Sequence, residues 1–240
     1  MKVGIVGLTE TGKKLSEMIK TIVVVHDPEA GFKNRAEINK ECEIAFICYK
    51  EPEKIKEALL WLSTPVIVIY APVVPGITER LLNESESNGV PRRIVFQYIN
   101  GNKIILGGDR GAAKVLMMFW QNYISNLRFF LLEPTMAEIV QHIENYFSLV
   151  QIAFFGQAYN MCEKLGVEYN ELKEAVSLNL DTTVYPERLG SMTRSMADSI
   201  GAITELDVRD KIDFSLMQEC IEILKRIKYN KVDYNETYRL

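Results

Sequence analysis

Residues 3 to 19 read VGIVGLTETGKKLSEMI, an apolar strand that turns through a glycine and runs directly into a helix. Few architectures accept this. The turn needs a backbone conformation that favours glycine, and the helix must fold back closely along the strand it has just left. In the G-x-G-x-x-G pattern the first glycine allows the tight turn, the second lets a pyrophosphate approach the backbone, and the third lets helix pack on strand. Gly7 and Gly12 occupy the first and third places, and Thr9 stands in the second. An acidic residue about twenty positions after the first glycine holds ribose hydroxyls in such sites, and Asp27 lies at 27 − 7 = 20. The candidate cofactor-binding set is therefore Gly7, Leu8, Thr9, Glu10, Thr11, Gly12 and Asp27, and it points to a bound dinucleotide. Two of these residues oppose binding. Thr9 brings a β-branched side chain to the pyrophosphate path, and Glu10 adds negative charge at a helix N-terminus that attracts phosphate. Lys13 and Lys14 offset that charge if they face the ligand rather than water.

The following residues extend the pattern. Short apolar runs at 2–6 (KVGIV), 22–26 (IVVVH), 43–48 (EIAFIC) and 65–70 (PVIVIY) alternate with helical or polar segments, among them EPEKIKEALLWLS, with Ile55, Leu59, Leu60 and Leu62 at helical spacing. Wholly apolar strands of this length belong to a sheet covered on both faces. Alternation of β and α elements with right-handed crossovers gives an α/β fold, a Rossmann-like doubly wound parallel sheet. PGITERLLNESES reads as a helix, RRIVFQYI and NKIILGG as a hairpin around Asn100-Gly101, AAKVLMMFWQNYI as a helix, and LRFFLLE as a last strand. This domain is expected to span residues 1–134.

From Thr135 to Leu165 there is no proline and one glycine, Gly156, while Ile139, Ile143, Tyr146, Phe147, Val150, Phe154 and Phe155 mark a broad apolar face. That spacing predicts one helix of about thirty residues, roughly 45 Å long. It is too apolar for a solvated spacer, so it must pack against other helices or a second copy of the chain. Gly166 reads as its C-cap, LGVEYNELKEAVS as a second helix, and DFSLMQECIEILKRIKY as a third, opened by Asp213 or Ser215. Residues 135–240 are expected to form an all-α domain, with a homodimer built through helix 135–165.

Composition excludes some functions. With 28 Lys+Arg against 32 Asp+Glu, a formal net charge of −4 supplies no basic excess for a phosphate backbone, so nucleic acid is not an expected partner. PVIVIYAPVVPG is too short and too interrupted by proline to span a bilayer, so no membrane association is expected. The N-terminus lacks a signal-peptide layout and the four cysteines (Cys42, Cys48, Cys162, Cys220) form no CxxC pair, which points to a reducing, cytoplasmic setting. No His/Cys/Asp/Glu spacing resembles a metal site.

Several segments together resemble the UDP-glucose/GDP-mannose dehydrogenase family. VGIVGLTETG is similar to that family's VxGLGxxG opening, EIAFICYKEP to DxxFIxVxTP, and VIVIYAPVVPGITERL to VxxxSTVPPGTTxxL. NKIILGGDRGAAKVL is similar to the close of its first domain. AEIVQHIENYFSLVQIAFFGQAYNMCEKLGV resembles its long central helix, AExxKxxxNxFxxxxIxxxNExxxxCExxG. The resemblance implies an NAD-binding domain, a central helical domain that forms the dimer, and a third domain that binds the UDP-sugar. The chain ends just after the helix that would lead to that third domain, which is expected to be absent.

The family oxidises an alcohol twice, through a cysteine nucleophile. The resemblance places Ile203 at that cysteine, Leu206 at a lysine of the same segment, Gln141 at the oxyanion-stabilising lysine, Pro72 at the threonine of STV, and Glu51 at that of TP. Asn145 is retained. Glu138, Gln141, His142 and Asn145 recur at three and four residues and share one helix face. The candidate catalytic residues are Asn145, Gln141 and His142, the last a near-neutral acid or base; the alternative is that this stripe is only the helix's solvated or hydrogen-bonded side. His26, beside Asp27, reads either as a ribose or adenine contact or as part of a surface turn. Cys162 and Cys220 read as core. Two functions stay open: an NAD(P)-dependent oxidoreductase transferring one hydride from a small-molecule alcohol, or a non-catalytic relative that binds a nucleotide or a protein partner.

Overall fold

Apolar runs that read as covered strands do become the centre of a sheet. The computed structural model describes residues 2–177, 200–202 and 215–226, and the chain divides into two compact units, Met1–Gln141 and His142–Leu240. In the first unit the elements are β1 (Lys2–Val6), α1 (Glu10–Met18), β2 (Val23–Asp27), β3 (Phe32–Lys33), α2 (Arg35–Glu41), β4 (Cys42–Ile47), α3 (Pro52–Trp61) and β5 (Val66–Ile69). They continue with α4 (Ile77–Ser87), β6 (Ile94–Asn100), β7 (Lys103–Gly108), α5 (Arg110–Trp120), β8 (Arg128–Leu132) and the start of α6 (Pro134–Leu165).

The eight strands lie in the order β3-β2-β1-β4-β5-β6-β7-β8. β2, β1, β4, β5 and β6 are mutually parallel, so the α/β, doubly wound reading holds for the centre of the sheet. The whole sheet is mixed, because β3 pairs antiparallel with β2 and β7 antiparallel with β6. Both reversals come from tight turns. Asn100 pairs with Lys103 across a two-residue connection, in which Gly101 takes φ 60°, the left-handed conformation that such hairpins require.

One face of the sheet is covered by α1 and α5, with Leu15, Ile19, Ala112, Leu116, Phe119 and Trp120 packed against Val3, Ile5, Phe46 and Val68. Strand alternation turns Gly4 the other way. A Cβ there would stand 2.9 Å from Ile38 of α2, so the glycine is what lets α2 lie close on β1. The segment between β2 and β4, read in the sequence only as polar, thus contains a short strand and a helix that buries one residue, Ile38.

In the second unit α6 continues to Leu165, where Gly166 (φ 68°) ends it. The Val167 N–H donates to the Cys162 carbonyl at 3.1 Å, the hydrogen bond of a Schellman cap. Phe155, Cys162 and Tyr169 form a small core with Tyr159, Leu172 and Val176, drawing together α6 and α7 (Tyr169–Ser177). The last helix among the described residues, α8, spans Ser215–Arg226. Among the described residues no helix is long and apolar enough to cross a membrane. All four cysteines are free and buried.

Candidate functional site

Strand order reverses beside β1: the chain moves outward to β2, then returns to place β4 on the other side. In open α/β sheets, ligands bind in the crevice beyond the carboxyl ends of strands at such a switch point. The loops that follow β1 and β4 meet there.

Gly7 takes φ 97°, and its N–H donates to the His26 carbonyl at 2.9 Å, fastening the turn to β2. A Cβ on Gly12 would stand 2.2 Å from the Gly7 carbonyl oxygen, so helix and strand approach as a third glycine permits. Thr9 is the N-cap of α1. Its hydroxyl accepts from the Gly12 N–H at 3.2 Å and donates to the Cys48 carbonyl at 3.0 Å. It therefore takes one of the helix N-terminal donors that an anion would use and ties α1 to the end of β4.

Asp27 is buried and its carboxylate is occupied from within. Oδ2 accepts from Leu8 N–H at 2.7 Å, and Oδ1 from Glu29 and Ala30 N–H at 3.0 and 3.2 Å. Glu10 is exposed and pairs with Lys14 one turn on, at 2.6 Å, so that lysine neutralises Glu10. Thr11 is half-buried.

The sequence reading missed Tyr49. Its ring lies over the first glycine, with carbons 2.8 to 3.0 Å from where a Gly7 Cβ would stand. The Lys54 ammonium sits 5.1 Å from the ring centroid and bridges to Glu29 at 3.0 Å, which links α3 to the turn after β2. Burial, and then the negative charges of Asp27, Glu29 and Glu57, push the Tyr49 phenol up to about 12. A signal was present: Tyr49 stands at the valine of the DxxFIxVxTP pattern.

On α6, Glu138, Gln141 and His142 are buried and Asn145 is half-buried. The stripe is thus buried rather than solvated. Glu138 accepts from Gly76 and Thr78 N–H at 2.6 and 2.9 Å, capping α4, whose own N-cap residue, Gly76, has no side chain for the task. Burial raises the Glu138 carboxyl above its ordinary range, and the Thr78 and Gly76 hydrogen bonds oppose that shift. Gln141 closes the first unit, while His142 and Asn145 belong to the second. Pro72 is buried after β5, and Glu51 is exposed at the N-cap of α3 with no capping bond from its side chain. Burial pushes the Cys42 thiol up to about 11 and also raises Cys48, which leaves neither as a ready thiolate. Ile203 and Leu206 lie outside the described residues. Among the described residues, no group of three or more His, Cys, Asp or Glu side chains could hold a metal ion.

Sequence comparison finds the UDP-glucose 6-dehydrogenase of Rickettsia conorii, 20% identical over 189 residues, covering 70% of this chain. Over that span the chain is similar in sequence to a nucleotide-sugar dehydrogenase. It spans 42% of that relative's length, and it matches no family model. Solved structures share its fold. The UDP-D-ManNAc dehydrogenase of Pyrococcus horikoshii superposes with a TM-score of 0.74 at 18% identity, over 95% of this chain and 69% of its own. The UDP-glucose dehydrogenase of Pyrobaculum islandicum gives 0.73 at 14%, over 93% of this chain and 68% of its own. The Mycobacterium tuberculosis 3-hydroxyisobutyrate dehydrogenase, solved with L-serine, gives 0.71 at 12% and is matched over 92% of its length. At these identities the superpositions establish the fold and leave the chemistry to the chain's own residues.

Proposed function

We propose that the chain is a non-catalytic relative of the nucleotide-sugar dehydrogenases, a homodimeric scaffold whose dinucleotide cradle is closed by its own side chains. One observation carries this reading: the Thr9 hydroxyl is bonded to both Gly12 N–H and Cys48 carbonyl, in the second-glycine place where a pyrophosphate needs bare backbone. Asp27 and Tyr49 support it. The carboxylate that would hold a ribose already accepts three backbone N–H groups, and the Tyr49 ring covers Gly7. These residues do not fit a bound dinucleotide.

The reactive positions support the same reading. Gln141 replaces the expected lysine, and a neutral amide cannot match an ammonium in stabilising developing negative charge. The dimer rests on α6, whose Met136, Ile139, Ile143, Phe147, Phe154, Met161 and Leu165 are exposed. The domain division proposed is residues 1–134 as the Rossmann-like part and 135–240 as the dimerisation part.

An NAD-dependent oxidoreductase acting on a small alcohol is the second reading, favoured by Asn145, which is kept on α6 beside His142. Thermal melting with and without millimolar NAD and NADH separates the two. The closed cradle gives no shift. A ligand at a hundred times its dissociation constant adds about 2.7 kcal/mol, so a rise of several degrees overturns the closed cradle, and turnover of a small alcohol with NAD would then overturn the non-catalytic reading.

A further inference from the structure

On the sheet face that carries α2 and α3, a second group of ionisable and aromatic side chains lies outside the cradle's own contacts. His26, near the end of β2, is 4% exposed. Its Nε2 accepts a hydrogen bond from Arg35 Nε, in the first turn of α2, at 3.1 Å. The same guanidinium donates through Nη2 to Glu57 of α3 at 2.9 Å and lies 5.1 Å from the Trp61 ring centroid. His26 meets Trp61 edge to face at 4.9 Å. The other imidazole nitrogen, Nδ1, is buried without a hydrogen-bond partner.

The protonation state follows from the bonding. Arginine can only donate, so Nε2 must present its lone pair, which leaves the single proton of a neutral imidazole on Nδ1. A second proton can enter only at Nε2. Its lone pair is the one Arg35 uses, so proton and arginine exclude each other. They also repel, because an imidazolium and a guanidinium would face each other in a half-buried place. The charged groups facing His26 are Arg35 from α2, Glu57 from α3, Asp27 beside it on β2, and Lys33, its register partner on β3. Val6, its partner on β1, carries no charge.

We propose that the His26–Arg35 pair is a proton-operated latch: uptake of one proton at Nε2 releases Arg35 from His26 and from the face of Trp61, freeing the first turn of α2. The latch stands next to the cradle, since the His26 carbonyl holds the Gly7 N–H and the next residue, Asp27, holds Leu8. It does not depend on whether the cradle binds a nucleotide. Burial, and then the Arg35 charge, hold the imidazole below its ordinary value, with Asp27 and Glu57 opposing, so the transition falls on the acid side of 6.5.

The test is acrylamide quenching of tryptophan emission between pH 8 and pH 5. Trp120 is fully buried and supplies a constant background, identified with a Trp61→Phe variant. Loss of the guanidinium cover raises the Trp61 quenching constant about twofold on acidification, along a one-proton curve. His26→Gln keeps an acceptor for Arg35 but cannot titrate, so its constant stays low at every pH. Arg35→Gln uncovers the indole and stays high at every pH. A flat profile in the native chain, a step that survives in His26→Gln, or a low value in Arg35→Gln would overturn the latch.

Discussion

If Thr9 and Tyr49 close the cradle, removing both should open it. The double variant Thr9→Gly, Tyr49→Val restores the glycine and the valine of the resembled pattern and leaves Gly7, Gly12 and Asp27 untouched. Its cost in stability can be worked from the structure. Thr9→Gly loses a few tenths of a kcal/mol as an N-cap and about 1 kcal/mol for the hydroxyl bond to the Cys48 carbonyl. Tyr49→Val loses a half-buried ring, about 2 kcal/mol, and a cation–π contact with Lys54 of about 0.5–1 kcal/mol. The total, roughly 4 kcal/mol, is a large share of a typical native stability of about 5–15 kcal/mol. A single cooperative melt must therefore be shown first. In the folded double variant, NADH at a hundred times its dissociation constant returns about 2.7 kcal/mol, a rise of roughly 5–10 °C for a chain of this size. Each single variant keeps one obstruction and should gain less than the pair. A double variant that melts cooperatively and ignores millimolar NADH would refute the idea that these two side chains are the barrier.

Gly12→Ala should destabilise the first unit by about 3 kcal/mol, read from a urea midpoint, because its Cβ would lie 2.2 Å from a backbone oxygen that cannot move aside cheaply. For the proposed dimer, Ile143→Glu and Phe147→Glu should each yield a monomer in sedimentation velocity while the circular dichroism stays native; a native chain that sediments as a monomer removes the dimer altogether. His26 makes stability depend on pH. Its value is depressed in the folded state, so the unfolded chain takes up the proton first, and stability falls as pH drops below 6.5, by at most about 1.4 kcal/mol per pH unit. His26→Gln should remove that component from the urea-denaturation profile, and an unchanged slope would contradict the assignment.

What the sequence disclosed and what it hid differ by how local the cause is. The β1 turn, the α1 N-terminus and Asp27 were legible because a strand, two glycines and an acid stand at fixed spacing. α2 was hidden because it buries only Ile38; a helix with one inward residue has no periodicity to read, and it is placed by the absence of a side chain on Gly4. Tyr49 was hidden because it acts from the end of β4 on a glycine after β1. Glu138 is the extreme case. Its partners, Gly76 and Thr78, lie sixty or more residues earlier, so nothing near it announces a helix cap.

α6 joins these points, because its two stripes are reversed relative to an ordinary amphipathic helix. Glu138, Gln141 and His142 are inside, while Ile143, Phe147 and Phe154 are exposed by 51%, 58% and 58%. Burying a carboxylate is unfavourable unless it is hydrogen-bonded, and for Glu138 the two α4 N–H groups supply that compensation. Nothing among the described residues compensates the apolar stripe. These side chains are already about half covered, so burying the rest of each is worth about 0.8–1.5 kcal/mol. Two copies related by a twofold axis would cover three each, six in all, or roughly 5–9 kcal/mol gross against an association cost of about 4–15 kcal/mol. With Met136, Ile139, Met161 and Leu165 added from each copy, fourteen in all, the gross gain is roughly 11–21 kcal/mol, and that larger set is what favours association. Among the described residues, the exposed stripe is a strong physical demand on the surroundings. These seven apolar side chains along one helix are the surface through which the proposed homodimer would form.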